Sequence, residues 1–168
     1  DYRSRTLALL DMYHHPLSDQ AEASMNGAFN ALTESQDEVP QLQIESRTIA
    51  AKRKAGGVIW FDFKSLCGGP RSQNDYLEIA TQFHTLMLSN VPKMEVRHAS
   101  EARRFTWLID VLYDRRIKFI MSGAVPPESL YLEGPMAHEF VRTVSRLTEM
   151  QSNEFLLEAK RDIDTSIT

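Results

Sequence analysis

The chain has 168 residues, enough for one well-buried core, and its 42% hydrophobic and 25% charged residues are typical of a folded globular protein. The net charge of −4 provides no global basic field for nucleic acid, although basic residues gather locally at Lys52-Arg53-Lys54 and Arg103-Arg104. A single cysteine, Cys67, excludes an internal disulfide and no zinc-like spacing accompanies it, so no metal site is expected. The longest apolar runs fall far short of the ~20 residues a spanning helix needs, so no membrane span is expected, and the charge balance argues against a nucleic-acid partner.

In chain order, residues 1–13 read as a short strand running into the turn at His14-His15-Pro16. Ser18 or Asp19 then caps a helix to about Thr33, in which Ala23, Phe29, Ala31 and Leu32 keep a helical rather than an alternating rhythm. Between Gln41 and Phe63 the pattern shifts towards period two, and the Gly56-Gly57 pair adds a turn, which predicts a small antiparallel β meander. After Cys67-Gly68-Gly69-Pro70 the order becomes helix, strand, helix, strand, helix. The expected spans are a helix from Ser72 or Asn74 to about Phe83, a strand over Thr85–Leu88, a helix over 100–116 and a strand over Ile117–Met121. A last helix is expected over 138–158 with Val141, Val144, Leu147 and Met150 facing inward. About twenty-five residues between two strands argues for a parallel α/β sheet. The expected organisation is a strand and helix over 1–39, the meander over 40–66 and an α/β core over 67–168, all in one compact unit.

Ligands of open parallel sheets collect at the carboxyl ends of strands, which here carry Ser89-Asn90 and Ser122-Gly123. Small polar residues also end strands simply because the chain turns there. A phosphate-binding loop needs spaced glycines followed by Lys-Ser/Thr, and Gly56-Gly57 and Gly68-Gly69 lack that continuation. An apolar strand ending in two acids, the usual Mg²⁺-holding element, is also missing. Alone, the chain is expected to bind no cofactor and to hydrolyse no ATP.

Two clusters remain. Arg71, Asp75 and Tyr76 follow the Gly-Gly-Pro turn at a helix start, where Arg71 could reach an anion or nucleotide, or simply anchor the loop. On the last helix Glu139, Arg142, Arg146 and Glu149 form a polar stripe, either a solvated face of local ion pairs or a source of an interface arginine acting on a phosphoryl group.

The segments "GPRSQNDYLEIATQFHT", "EARRFTWLIDVLYDRRIKFIMSGAVPPESLY" and "FVRTVSRLTEMQSNEFL", in this order, resemble the C-terminal half of the ZapE-type cell-division ATPases within the AFG-like P-loop ATPase family. The likeness starts at Asp1 and covers nearly the whole chain. The family's Gly-Pro-Arg-Ser-x-x-Asp-Tyr element falls on Gly69, Pro70, Arg71, Ser72, Asp75 and Tyr76. Its Ser-Arg-Leu-x-Glu-Met-Gln-Ser element falls on Ser145, Arg146, Leu147, Glu149, Met150, Gln151 and Ser152. The resemblance implies the C-terminal part of an AAA-type, P-loop NTPase-like α/β fold, and "IMSGAVPPESLY" looks like a degenerate copy of the family's upstream sensor unit.

It further implies an intact protein that binds ATP and Mg²⁺, carries its Walker motifs in a P-loop half upstream, and acts in the cytoplasm on the division ring of FtsZ, the tubulin-like protein. The implied partners are that P-loop half, FtsZ and, for a trans-acting arginine, further copies of the same protein. Within this chain Arg142 and Arg146 are the expected interface arginines, Arg71 a nucleotide contact, and Asp75, Tyr76 and Glu149 structural residues. The alternatives are a stand-alone, non-catalytic interaction module of the division machinery and, for location, the mitochondrial matrix of the related members.

Overall fold

The computed structural model describes residues 2–162. Its elements are α1 (Tyr2–Ala8), β1 (Tyr13–His14), α2 (Asp19–Leu32), β2 (Gln41–Ile44), β3 (Arg47–Ala50), β4 (Arg53–Ala55), β5 (Val58–Asp62), α3 (Phe63–Cys67), α4 (Gln73–Gln82), β6 (Thr85–Val91), α5 (Ala99–Arg115), β7 (Lys118–Gly123), α6 (Phe140–Glu149) and α7 (Asn153–Leu157), with short 3₁₀ turns at Val96–His98 and Pro127–Ser129. Five strands form one sheet in the order β1-β7-β6-β5-β4, and β2-β3 form a separate pair. Strands β1, β7, β6 and β5 run parallel, while β4 closes one edge antiparallel to β5. The chain is therefore mixed α/β with a short parallel core and a small antiparallel appendage, as the segment pattern predicts.

Both faces of the sheet are covered. Trp60, Met87 and Ile120 pack with Met25 and Phe29 of α2 on one side. Their neighbours Ile59, Phe61, Leu86, Leu88, Phe119 and Met121 pack with residues of α4, α5 and α6 on the other. Successive side chains of a strand point to opposite faces, so strands apolar on both faces lose the alternation that marks a half-exposed strand.

That explains why the stretch read as one meander is divided. β5 is buried throughout from Val58 to Phe61 and pairs in parallel with β6. Only β2-β3 keep an alternating burial and stand apart as a hairpin. At the N-terminus the structure has a helix over Tyr2–Ala8 where a strand was expected, with Leu7 fully buried. The strand there is confined to Tyr13–His14, paired with Met121 and Ser122. Asp1, and residues 163–168 of the expected core, lie outside the described residues.

The helices follow their caps. Ser18 accepts a hydrogen bond from the Ala21 N–H at 3.0 Å to start α2. Helix α5 buries Ala102, Phe105, Leu108, Ile109 and Leu112, the stripe expected from the sequence, and Arg116 ends it in the left-handed region at φ 58°. The expected last helix is broken. Ser152 has an extended backbone and accepts from the Phe155 N–H at 3.2 Å, so it caps a new helix, α7, instead of continuing α6. The inward face of α6 is Phe140, Thr143 and Leu147, and Val141 points outward with 65% of its surface exposed.

Candidate functional site

Three polar sites follow from this framework. The first is the carboxyl end of the parallel strands. β6 continues past Leu88 through an irregularity at Ser89-Asn90 before rejoining β7 at Val91, and Asn90 takes φ 67° there. Ser89 is fully buried; its hydroxyl accepts from Trp60 Nε1 at 2.8 Å and donates to Glu22 at 3.4 Å. Glu22 in turn pairs with Lys52 at 2.6 Å, whose ammonium sits 5.2 Å from the Trp60 ring. The Ser122 hydroxyl accepts the Asn90 backbone N–H at 3.0 Å, and the Asn90 amide donates to Asp62 at 2.6 Å. Gly123 lies against Tyr13. A Cβ there would stand 2.7 Å from the Tyr13 hydroxyl, which donates to the Val125 carbonyl and which burial pushes well above an ordinary phenol.

The second site is built by the Gly-Pro-Arg-Ser element. Gly68 caps α3 so tightly that a Cβ would meet the Lys64 carbonyl at 2.6 Å. The loop that follows delivers Arg71, whose Nη groups donate to the Ser65 carbonyl at 2.8 Å and the Pro70 carbonyl at 3.1 Å. Arg71 Nε is buried without a hydrogen-bond partner. Ser72 and Asp75 form a reciprocal capping box at the start of α4. Asp75 also receives both Nη groups of Arg47 from β3, one of them at 3.0 Å. This fork holds its carboxyl below the usual range against the opposing effect of burial. Tyr76 is fully buried and donates to the Leu66 carbonyl at 2.9 Å, tying α4 to α3. Burial pushes the Cys67 thiol beside it up to about 12, which leaves it unreactive.

The third site joins α5 and α6. Arg146 donates to Asp110 and lies 4.7 Å from the Tyr113 ring centroid. Glu149 accepts the Tyr113 hydroxyl at 2.6 Å. Arg142 approaches the other oxygen of Asp110 at 3.6 Å with its side chain 65% exposed, against 23% for Arg146. The structure thus brings Arg142, Arg146 and Glu149 into one network and sets Arg71, Asp75 and Tyr76 in another. Sequence reasoning passed over Arg47 and Asp110, which supply the partners from other elements. Among the described residues no group of three or more His, Cys, Asp or Glu side chains is placed to hold a metal ion.

The AFG1-like ATPase family model matches residues 1–159. The chain belongs to the AFG1-like ATPase family. It is 40% identical over 157 residues to "Cell division protein ZapE" of Escherichia coli, in strains K12 and O157:H7, covering 93% of this chain and 42% of that protein. It is 29% identical to "Lactation elevated protein 1 homolog B" of Danio rerio, covering 96% of this chain and 39% of that protein. The AFG1-like chain described here therefore spans about two fifths of the length of the curated relatives it matches. No solved structure matches it at a significant level. No helix among the described residues is long and apolar enough to cross a membrane.

Proposed function

We infer that this chain is the supporting half of an AFG1-like ATPase whose intact form binds and hydrolyses Mg-ATP in bacterial cell division, acting on the FtsZ ring in the cytoplasm. The observation that carries the reading is the 40% identity to a cell division protein across 93% of the chain. Nucleotide chemistry is assigned to a P-loop half of the same protein. What supports that assignment here is the state of the strand tips: Ser89 and Ser122 hydrogen-bond to neighbouring groups of the chain itself.

The contribution of this half is an arginine on α6. Arg142 is exposed and only loosely paired with Asp110, so it can leave Asp110 for a phosphoryl oxygen on an adjoining subunit. Arg146, better buried and stacked on Tyr113, would hold Asp110 in place meanwhile, or act itself once the subunits meet. A guanidinium that stabilises phosphoryl transfer contributes about 10³-fold or more to turnover. The test is ATP turnover of the intact oligomer carrying Arg142→Ala or Arg146→Ala. A fall of that order in either variant supports the assignment, and turnover within about twofold of wild type in both removes it.

A further inference from the structure

The groove beside the Gly-Pro-Arg-Ser loop contains more positive charge than the fold itself uses. Its volume is about 410 Å³, and its lining includes Arg47, Arg71, Arg103 and Arg104, with Asp75 as its one carboxylate and Trp107 on one wall. Arg47 is neutralised by Asp75. Arg104 donates to the Cys67 carbonyl at 2.9 Å and lies 4.0 Å from Glu101. Arg71 donates only to carbonyls, which orient a guanidinium without neutralising it, and its Nε has no partner. Arg103 is exposed and has neither an ion pair nor a hydrogen bond among the described residues. Arg103, which has no acid, and Arg71, which shares the field of Asp75 with Arg47, thus converge from different elements, and four arginines face one carboxylate in a chain whose net charge is −4.

The helices add to this field. α4 and α5 each lead into the amino end of the next parallel strand, β6 and β7, so their own amino ends lie towards the carboxyl end of the sheet. Ser72, the cap of α4, and Ser100, in the first turn of α5, both line the groove. Amino ends of helices carry partial positive charge and unpaired N–H groups. Planar guanidinium forks suit phosphate oxygens in bidentate geometry, and a neighbouring indole offers a face for a planar ring.

We propose that this groove is a binding site for a small diphosphate-type oxyanion, held by Arg71 and Arg103 between the amino ends of α4 and α5, with Trp107 beside it. The site is separate from the reading above, because neither Arg142 nor Arg146 lines it. Loss of ATP turnover and loss of oxyanion binding are therefore read independently.

The experiment is a titration of the 168-residue chain with pyrophosphate and, in a second arm, with ADP, both without magnesium, followed by tryptophan fluorescence. Trp60 is fully buried, so a change that disappears in Trp107→Phe reports the groove. Saturable binding by pyrophosphate is expected at millimolar concentration or below, weakened roughly tenfold or more by Arg103→Glu, because a charge-assisted contact is lost and reversed. Arg97→Glu, which changes net charge equally on an exposed side chain outside the groove, should leave binding within about twofold. ADP binding tighter than pyrophosphate would place a ring against Trp107, and equal affinities would make the diphosphate alone the ligand; both support the site. No saturable signal up to about 10 mM of either probe, or equal binding by Arg103→Glu and wild type, would overturn it.

Discussion

The carboxyl ends of β5–β7 and the arginine groove lie at the same end of the sheet, but their polar groups are in opposite states. At the strand ends Ser89, Ser122, Asn90 and Asp62 hydrogen-bond to one another or to Trp60 and Glu22. In the groove Arg103 has no ion-pair partner, and Arg71 hydrogen-bonds only to carbonyls while Asp75 is taken by the fork of Arg47. In sequence both sets are simply polar residues close to a turn or an element boundary, small in one case and charged in the other. What separates them is whether the fold supplies complementary partners: the strand ends are satisfied within the chain, while Arg71 keeps a buried Nε without a partner and Arg103 stays in solvent.

Substitutions can break or sharpen this contrast, and the largest effect is expected at the strand end. Ser89→Asp would place a second carboxylate beside Glu22 in a fully buried position, and should cost about 4 kcal/mol in a urea unfolding experiment. A loss below about 1 kcal/mol would mean the tip has room and solvent that the packing does not show.

Asp75→Ala comes next, because it removes half of the capping box and the carboxylate that accepts from Arg47; with Arg47 itself open to solvent, the expected loss is about 2 kcal/mol. Its pH signature is specific. The Asp75 carboxyl is held below the ordinary value of 3.8 by Arg47, so the unfolded chain binds the proton first as pH falls. The stabilisation is present above about pH 4 and is lost through the folded-state titration below it. Asp75→Asn should flatten that acid limb in unfolding measured from pH 5 to 2.

A buried cation gives the counterpart to the arginines of the groove. Lys118 is buried, donates to the carbonyls of Phe155 at 2.8 Å and Glu158 at 2.6 Å, and is pushed down by burial to about 8 from 10.5. Between those values the unfolded chain binds more protons than the folded one, so the contribution of Lys118 to stability rises with pH across that window. The difference in unfolding free energy between wild type and Lys118→Met should grow from pH 8 to pH 10. A flat difference would show that the ammonium is solvated in the folded chain.

Gly123→Ala tests the packing of the second strand tip. The new methyl would stand 2.7 Å from the Tyr13 hydroxyl, and displacing it from the Val125 carbonyl should cost about 1–2 kcal/mol in thermal or urea unfolding. The smallest effect belongs to the groove. Arg103→Ala should change stability by no more than about 0.5 kcal/mol, and a larger loss would show that this arginine has a structural partner after all.

Local patterns in the sequence made much of the fold legible. The stripe of α5, the caps Ser18 and Ser72 and the parallel strand-helix-strand unit depend on spacing and capping chemistry within a few residues. The Gly-Pro-Arg-Ser-x-x-Asp-Tyr element pointed to a loop and helix start, and Arg103-Arg104 already read as a local basic cluster. Neither the role of β5 nor the break at Ser152 was visible in the same way. β5 is apolar on both faces, which removes its alternation, and the α6–α7 break sits inside a segment whose propensities would also suit one continuous helix.

By itself, then, the sequence determined the family, the α/β class and the helix caps, because each is written in residues close along the chain. Only the tertiary structure decided which polar groups are satisfied. Asp75 meets Arg47 across 28 residues, Arg146 meets Asp110 across 36, and Ser89 meets Glu22 across 67. Such pairings arise when the sheet and helices bring distant segments together, and they fix which charges are spent within the fold and which remain for a ligand.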